Sequence, residues 1–192
     1  MTSRLGVGRR DRAAQVPRDG ATHYVAGNAA TGRRARLAGT GVVGLAAAAL
    51  GGAVTLTDLP EVLPLLRQNI QQNASMVAGR GGSCIVAELS WGASAVAAEL
   101  VSPGFVLMSD CIFETSTAVL LVQTLEQLCP TAATTILLAN EQREHPKNRE
   151  AEQMFCAAAA MLFTMDRVGS KEQDEEYCVE EIVVMRMRRR AV

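Results

Sequence analysis

Histidine is nearly missing from this chain. His23 and His145 are the only two in 192 residues, and neither stands near a cysteine pair, so a zinc site is not expected. Cys84, Cys111, Cys129, Cys156 and Cys178 show no C-x-x-C spacing, and an odd number argues against a full disulfide framework. A reducing compartment fits that usage. The cytoplasm is expected, with the nucleus and organellar import left open. G-x-x-x-x-G-K, G-x-S-x-G and H-E-x-x-H are also missing, which disfavours P-loop, serine-hydrolase and zinc-protease chemistry.

Charge of either sign is scarce overall, with a net value of −1, but it is unevenly spread. Residues 1–37 hold eight arginines against Asp11 and Asp19, a balance of +6 that leaves −7 for the rest. Residues 1–36 show no periodicity and few large apolar side chains, so a disordered leader is the preferred reading. Their Arg-rich, acid-poor composition also resembles a transit peptide. Leu37 to Thr57 is free of charge and long enough to span a bilayer. Its small residues leave too little apolar bulk for insertion, so it reads better as turn, helix and strand. A membrane partner is not expected, nor is nucleic acid.

The chain has 48% hydrophobic residues and a length that suits one domain with a real core. Gly39, Gly41 and Gly44 give G-x-G-x-x-G, followed by an acidic residue at Asp58. Glycines without Cβ let a strand-to-helix turn pass close to a ligand, and the helix offers unpaired N–H groups. An acid at the end of the next strand can take both hydroxyls of a ribose. The pattern from there predicts a helix over 42–50, a strand over 53–57 and a helix from about Pro60 to Asn73. Strands follow over 83–88, 104–109 and 134–139, with a helix over 115–129 and another near 147–160. Two final strands, about 161–168 and 180–188, flank a charged loop over 171–176. The central strands are apolar throughout, as a parallel sheet covered on both faces requires. The fold class is α/β, a doubly wound, mostly parallel sheet with an antiparallel edge hairpin.

In such a sheet ligands sit at the carboxyl ends of strands, where the strand order reverses. The glycine turn, Asp58 and Ser109-Asp110 all fall at such ends, and Trp91 follows another strand closely. Each has a plainer reading. Asp110 could cap the helix that follows, Asp58 could cap the helix near Pro60, and Trp91 could be a core aromatic. Arg186, Arg188, Arg189 and Arg190 read as a solvated basic end, able at most to dock an acidic partner.

Ala38-Gly-Thr-Gly-Val-Val-Gly-Leu-Ala46, Thr57-Asp58-Leu59, Leu89-Ser-Trp-Gly92 and Ser109-Asp-Cys-Ile-Phe113 resemble, in order, the seven-strand lysine methyltransferases of the methyltransferase-21-like family. Asp110-x-x-Phe113 matches the D/E-x-x-Y/F motif that marks the group. Asn140-Glu-Gln-Arg143 and Asp174-Glu-Glu-Tyr177 look most like the branch acting on valosin-containing protein, an AAA ATPase. The resemblance implies a Rossmann-like domain over 37–192, working as a monomer on a protein substrate, either such an AAA ATPase or another chaperone. It implies S-adenosyl-L-methionine as cofactor, with Ala38, Gly39 and Gly41 against its methionine portion. Asp58 would hold the ribose hydroxyls, Trp91 and Ser109 would line the adenine, and Asp110 and Phe113 would border the target lysine.

The chain departs from the family at its beginning. An apolar strand ending in an acid and a glycine should precede Ala38, but Arg34-Ala-Arg-Leu37 stands there. An upstream tryptophan that closes over the cofactor is also missing. The first strand is therefore expected to be missing or degenerate, through an altered exon or a misread gene model. A methyltransferase-like interaction protein that kept the scaffold but lost cofactor binding with its first strand, and so is catalytically impaired, is the alternative. An NAD-dependent dehydrogenase is a third reading, disfavoured by the D-x-x-F motif.

Overall fold

A computed structural model describes residues 23–27 and 40–191. The elements in chain order are His23–Gly27 (β1), Val42–Ala49 (α1), Ala53–Asp58 (β2), Leu63–Gln72 (α2), Ala74–Ala78 (α3), Ser83–Glu88 (β3), Phe105–Ser109 (β4), Thr115–Leu128 (α4), Thr135–Glu141 (β5), Pro146–Leu162 (α5), Phe163–Arg167 (β6) and Ile182–Arg189 (β7). The strands form one sheet of order β3-β2-β1-β4-β5-β7-β6. β1 to β5 are mutually parallel, while β7 runs antiparallel to both β5 and β6. The doubly wound architecture with an antiparallel edge is the one expected.

The first strand is where the structure corrects the sequence reading. It is not missing: His23–Gly27 fills the central place, paired with β2 on one side and β4 on the other, though it lacks the acid expected at its end. These five residues lie inside the stretch read as a leader. A strand this short, with polar sequence on both sides, gives no periodicity to detect. The rest of that leader, Arg34 to Leu37, Ala38 and Gly39 lie outside the described residues.

Val25 and Ala26 point to opposite faces and belong to the two halves of the core. On one face Leu45 and Ala48 of α1, Leu63 and Leu66 of α2, and Val77 of α3 pack with Ala26, Val54 and Leu56. The other holds Leu121, Val122 and Leu125 of α4 and Phe155 of α5, over Val106, Met108, Ile136 and Leu138. Each such large side chain contributes about 1.5–3 kcal/mol by leaving water. The alanine-rich α1 comes close to the sheet because Gly44 lies against it. A Cβ there would stand 2.2 Å from Leu56 Cδ2 and 3.0 Å from the Ala26 Cβ.

Two other expectations shift. Helix α2 starts at Leu63 rather than near Pro60, with a proline in its first turn. The basic end is exposed at Arg188 and Arg190, as expected, but it is not a free tail. It forms β7, where Arg186 pairs with Glu172 and Arg189 with Glu126, both at 2.8 Å, and Arg190 donates to the Ala160 carbonyl. Among the described residues no helix is long and apolar enough to cross a membrane.

Candidate active site

From β1 the chain winds outward through β2 to β3, and then crosses back to β4 on the other side of β1. The order therefore reverses between β1 and β4, which opens a crevice at their carboxyl ends. Register places Gly27 beside Thr57 and Met108, Asp58 beside Glu88, and Ser109 beside Ala139. The sequence-predicted residues at strand ends are thus brought to one edge.

Gly41 is the N-cap of α1 and has φ of 74°, a left-handed conformation natural only to glycine. A Cβ on it would lie 2.7 Å from Leu56 Cδ1 and 2.9 Å from Leu66 Cδ2. The Asn69 amide of α2 donates to the Thr40 carbonyl at 2.9 Å and ties this turn to the neighbouring helix. Asn69 was not singled out from the sequence. An amide in a helix gives no signal of which backbone it reaches.

Asp58 ends β2 with only 6% of its surface exposed. Its Oδ1 accepts the Leu59 N–H at 2.8 Å. It does not cap α2, whose N-cap is Val62. Burial pushes the carboxyl up to about 6, partly opposed by the Leu59 amide and aided by the charge of Glu61. Beside it a small cleft, about 10 Å³ in volume, is lined by Gly41, Val43, Thr57, Asp58, Leu66 and Leu107. A buried acid on such a cleft is suited to hydrogen-bond donors without charge, such as a pair of hydroxyls. A Cβ on Gly41 would intrude on the same cleft. The chemistry of this acid therefore suits the pair of ribose hydroxyls that the sequence pattern implies.

Trp91 follows β3 in a turn closed by the Ala93 N–H donating to Ser90 O. It is half-buried against the α4 side of the core, so it serves as a core aromatic whatever else it does. Ser109 ends β4 and is half-exposed. Asp110 follows with φ of 49°, uncommon without glycine. Its N–H donates to Ala139 O, and its Oδ1 accepts the Glu141 N–H at 2.9 Å. It is therefore not the cap of α4, whose N-cap is Glu114. Cys111 and Ile112 turn into the core, while Phe113 stays half-exposed. Among the described residues no three His, Cys, Asp or Glu side chains gather as a metal site.

A family described as lysine methyltransferase matches residues 37–160, a stretch that begins after β1. EEF1A lysine methyltransferase 3 of Mus musculus is 39% identical over 111 residues, 56% of this chain and 44% of that protein. Protein N-lysine methyltransferase METTL21A of Mus musculus is 35% identical over 134 residues, 68% of this chain and 56% of that protein. The chain thus spans about half the length of the curated relatives it matches. Among solved structures, a SAM-dependent methyltransferase from Methanosarcina mazei superposes with a TM-score of 0.58 at 12% identity, covering 88% of this chain and 92% of that one. The glycopeptide N-methyltransferase MtfA, complexed with sinefungin, does so with a TM-score of 0.57 at 14% identity, covering 89% and 81%. These two likenesses concern the fold.

Proposed function

The chain belongs to the lysine methyltransferase family, and on that premise we propose that it transfers methyl groups from S-adenosyl-L-methionine to the ε-amine of a lysine in a protein. The observation that carries this reading is Asp58, a buried acid at the end of β2 beside the cleft under Gly41. It suits the two hydroxyls of the cofactor's ribose. When bound, S-adenosylmethionine supplies an electrophilic methyl on a sulfonium.

The roles follow from position. The resemblance gives Ala38, Gly39 and Gly41 the methionine portion, and at Gly41 the missing side chain admits the ligand to the backbone. Trp91 and Ser109 wall the adenine from the ends of β3 and β4. Asp110 has one carboxylate oxygen occupied by the Glu141 amide, which fixes the group, and its other oxygen orients the target amine. That amine must be neutral before it attacks. Phe113 excludes water and stabilises its cationic form by about 0.5–2 kcal/mol. Alignment of two reactants supplies much of the remaining acceleration.

The substrate is a protein, and our reading is an AAA ATPase of the valosin-containing type or another chaperone. It rests on Asn140–Arg143 and Asp174–Tyr177; Glu141, bonded to Asp110, pairs with Ile182 at the start of β7, so the loop before β7 reaches the same edge. The elongation factor named for one relative is the competing candidate. The test supplies cofactor with a labelled methyl and each purified protein, then maps modified lysines by mass spectrometry. Label on lysine, lost with Asp58→Ala, supports the reading. Cofactor binding without transfer to any lysine would favour a scaffold role.

A further inference from the structure

Helix α4 carries an anomaly on its apolar face. Leu121, Val122, Leu125 and Leu128 are buried there, and so is Thr124, at 1% exposure. A β-branched hydroxyl is a poor helix former, and in the core it needs partners. Its Oγ1 donates to Leu120 O at 2.9 Å, which aims the oxygen's acceptor side outward, and there it accepts the Gly92 N–H at 3.0 Å. One turn later, Gln127 makes a two-point contact. Its Oε1 accepts the Val96 N–H at 2.9 Å and its Nε2 donates to Ala93 O at 3.0 Å.

These three bonds cross from α4 to the segment after β3, more than 30 residues away in sequence. They fasten it within its turn, at Gly92 and Ala93, and just after it, at Val96. Gly92 has φ of 77°, and a Cβ there would meet Leu120 Cδ2 at 2.7 Å, so the loop sits directly on the helix. An irregular segment lacks a ladder to satisfy its amides and carbonyls. Two side chains of α4 do so here, at the one residue stretch that holds Trp91.

We infer that Thr124 and Gln127 are positioning residues for the cofactor: they hold the Trp91 turn as a preformed wall for the adenine. The inference rests on the proposed cofactor reading. It also makes α4 common to both ligands, since the helix begins two residues after Phe113 and holds the Trp91 turn from its C-terminal half. Neither residue touches the ligand. Preforming a loop raises affinity by removing the ordering cost from the binding step.

The test uses the full chain and four variants, Gln127→Leu, Gln127→Glu, Thr124→Val and Thr124→Ser. Three readouts are taken: quenching of the single tryptophan by acrylamide without ligand, affinity for S-adenosylhomocysteine, and affinity for adenosine. Gln127→Leu and Thr124→Val should expose Trp91 to quencher and weaken both ligands by about tenfold, roughly one to two hydrogen bonds. Thr124→Ser keeps the hydroxyl and should restore both properties. Gln127→Glu keeps one acceptor, loses the donor and should fall between. Unchanged quenching with affinities within twofold of the parent would overturn the inference. So would weakened binding with Trp91 unmoved. Should the parent bind neither ligand, the cofactor reading itself fails and takes this one with it. If Thr124→Val does not fold, Gln127→Leu and Thr124→Ser still decide.

Discussion

The Asp110 carboxylate is bonded to the backbone amide of Glu141, at 2.9 Å and across 31 residues. That bond joins the turn after β4 to the last residue of β5 and holds a carboxylate at the carboxyl edge of the sheet. Together with the Asp110 N–H to Ala139 O bond, it over-determines a residue whose φ of 49° is otherwise unfavourable.

Asp110→Asn retains an oxygen for the Glu141 amide, so it should melt within about 2 °C of the parent and bind S-adenosylhomocysteine within about threefold. Methyl transfer should fall at least about 100-fold, because a neutral amide cannot accept or offset the charge of the amine. Asp110→Ala should also lose about 1 kcal/mol of stability, read by urea denaturation.

Asp58 makes stability depend on pH in a defined direction. Its folded value, about 6, lies above the ordinary 3.8 because burial disfavours the charged form. Below about pH 4 both states are protonated and nothing is lost. As pH rises from about 4 to 6 the unfolded chain loses the proton first, so stability falls, and the deficit is complete above 6. Asp58→Asn should flatten that slope and stabilise the ligand-free protein near pH 7 by about 1–3 kcal/mol. The same variant should bind S-adenosylhomocysteine much more weakly. In the parent, affinity should drop as pH falls below 6, since the protonated acid accepts hydroxyl donors less well. Denaturation and calorimetry across pH 4–8 check both.

Gly44→Ala should destabilise although alanine favours helix. The new methyl meets Leu56 Cδ2, and behind it the Ala26 Cβ at 3.0 Å and Val54 Cγ1 at 3.2 Å, which the sheet holds in place. We expect a net cost of about 1–3 kcal/mol, overpacking outweighing about 1 kcal/mol of propensity. Adding Leu56→Val should recover part of it, as a double-mutant cycle would show.

Arg189 lies with its guanidinium 5.6 Å from the Phe163 ring centre and one nitrogen on Glu126, while its buried Nη1 has no partner among the described residues. Removing Glu126 leaves a largely buried cation uncompensated, so Glu126→Gln should cost about 1–2 kcal/mol. Arg189→Met, which removes the charge as well, should cost less. Chemical denaturation of both variants compares them.

Most of the sheet was legible because β2, β4 and β5 are apolar runs that only a doubly covered parallel sheet explains, and the charged loop over 171–176 marked the edge hairpin. Strand β1 was not legible: its five residues hold too little pattern to stand out from an Arg-rich surrounding. At the site, Gly41, Asp58, Trp91, Ser109 and Asp110 could be named because their types and spacing carry chemistry. Asn69, Thr124 and Gln127 could not. They act by bonding to the backbone of distant loops, and a chain position does not record which loop will arrive there. For the same reason Asp110 looked equally suited to capping α4. Only the approach of β5 decides between the two.

The most direct test of the central claim is a calorimetric titration of the full chain with S-adenosylhomocysteine, repeated with NAD and with Asp58→Ala. The account predicts saturable one-site binding of the homocysteine nucleoside, no comparable heat with NAD, and loss of at least about tenfold in affinity with the variant. A folded sample that binds no S-adenosylhomocysteine, or binds it equally well without the Asp58 carboxylate, would contradict it.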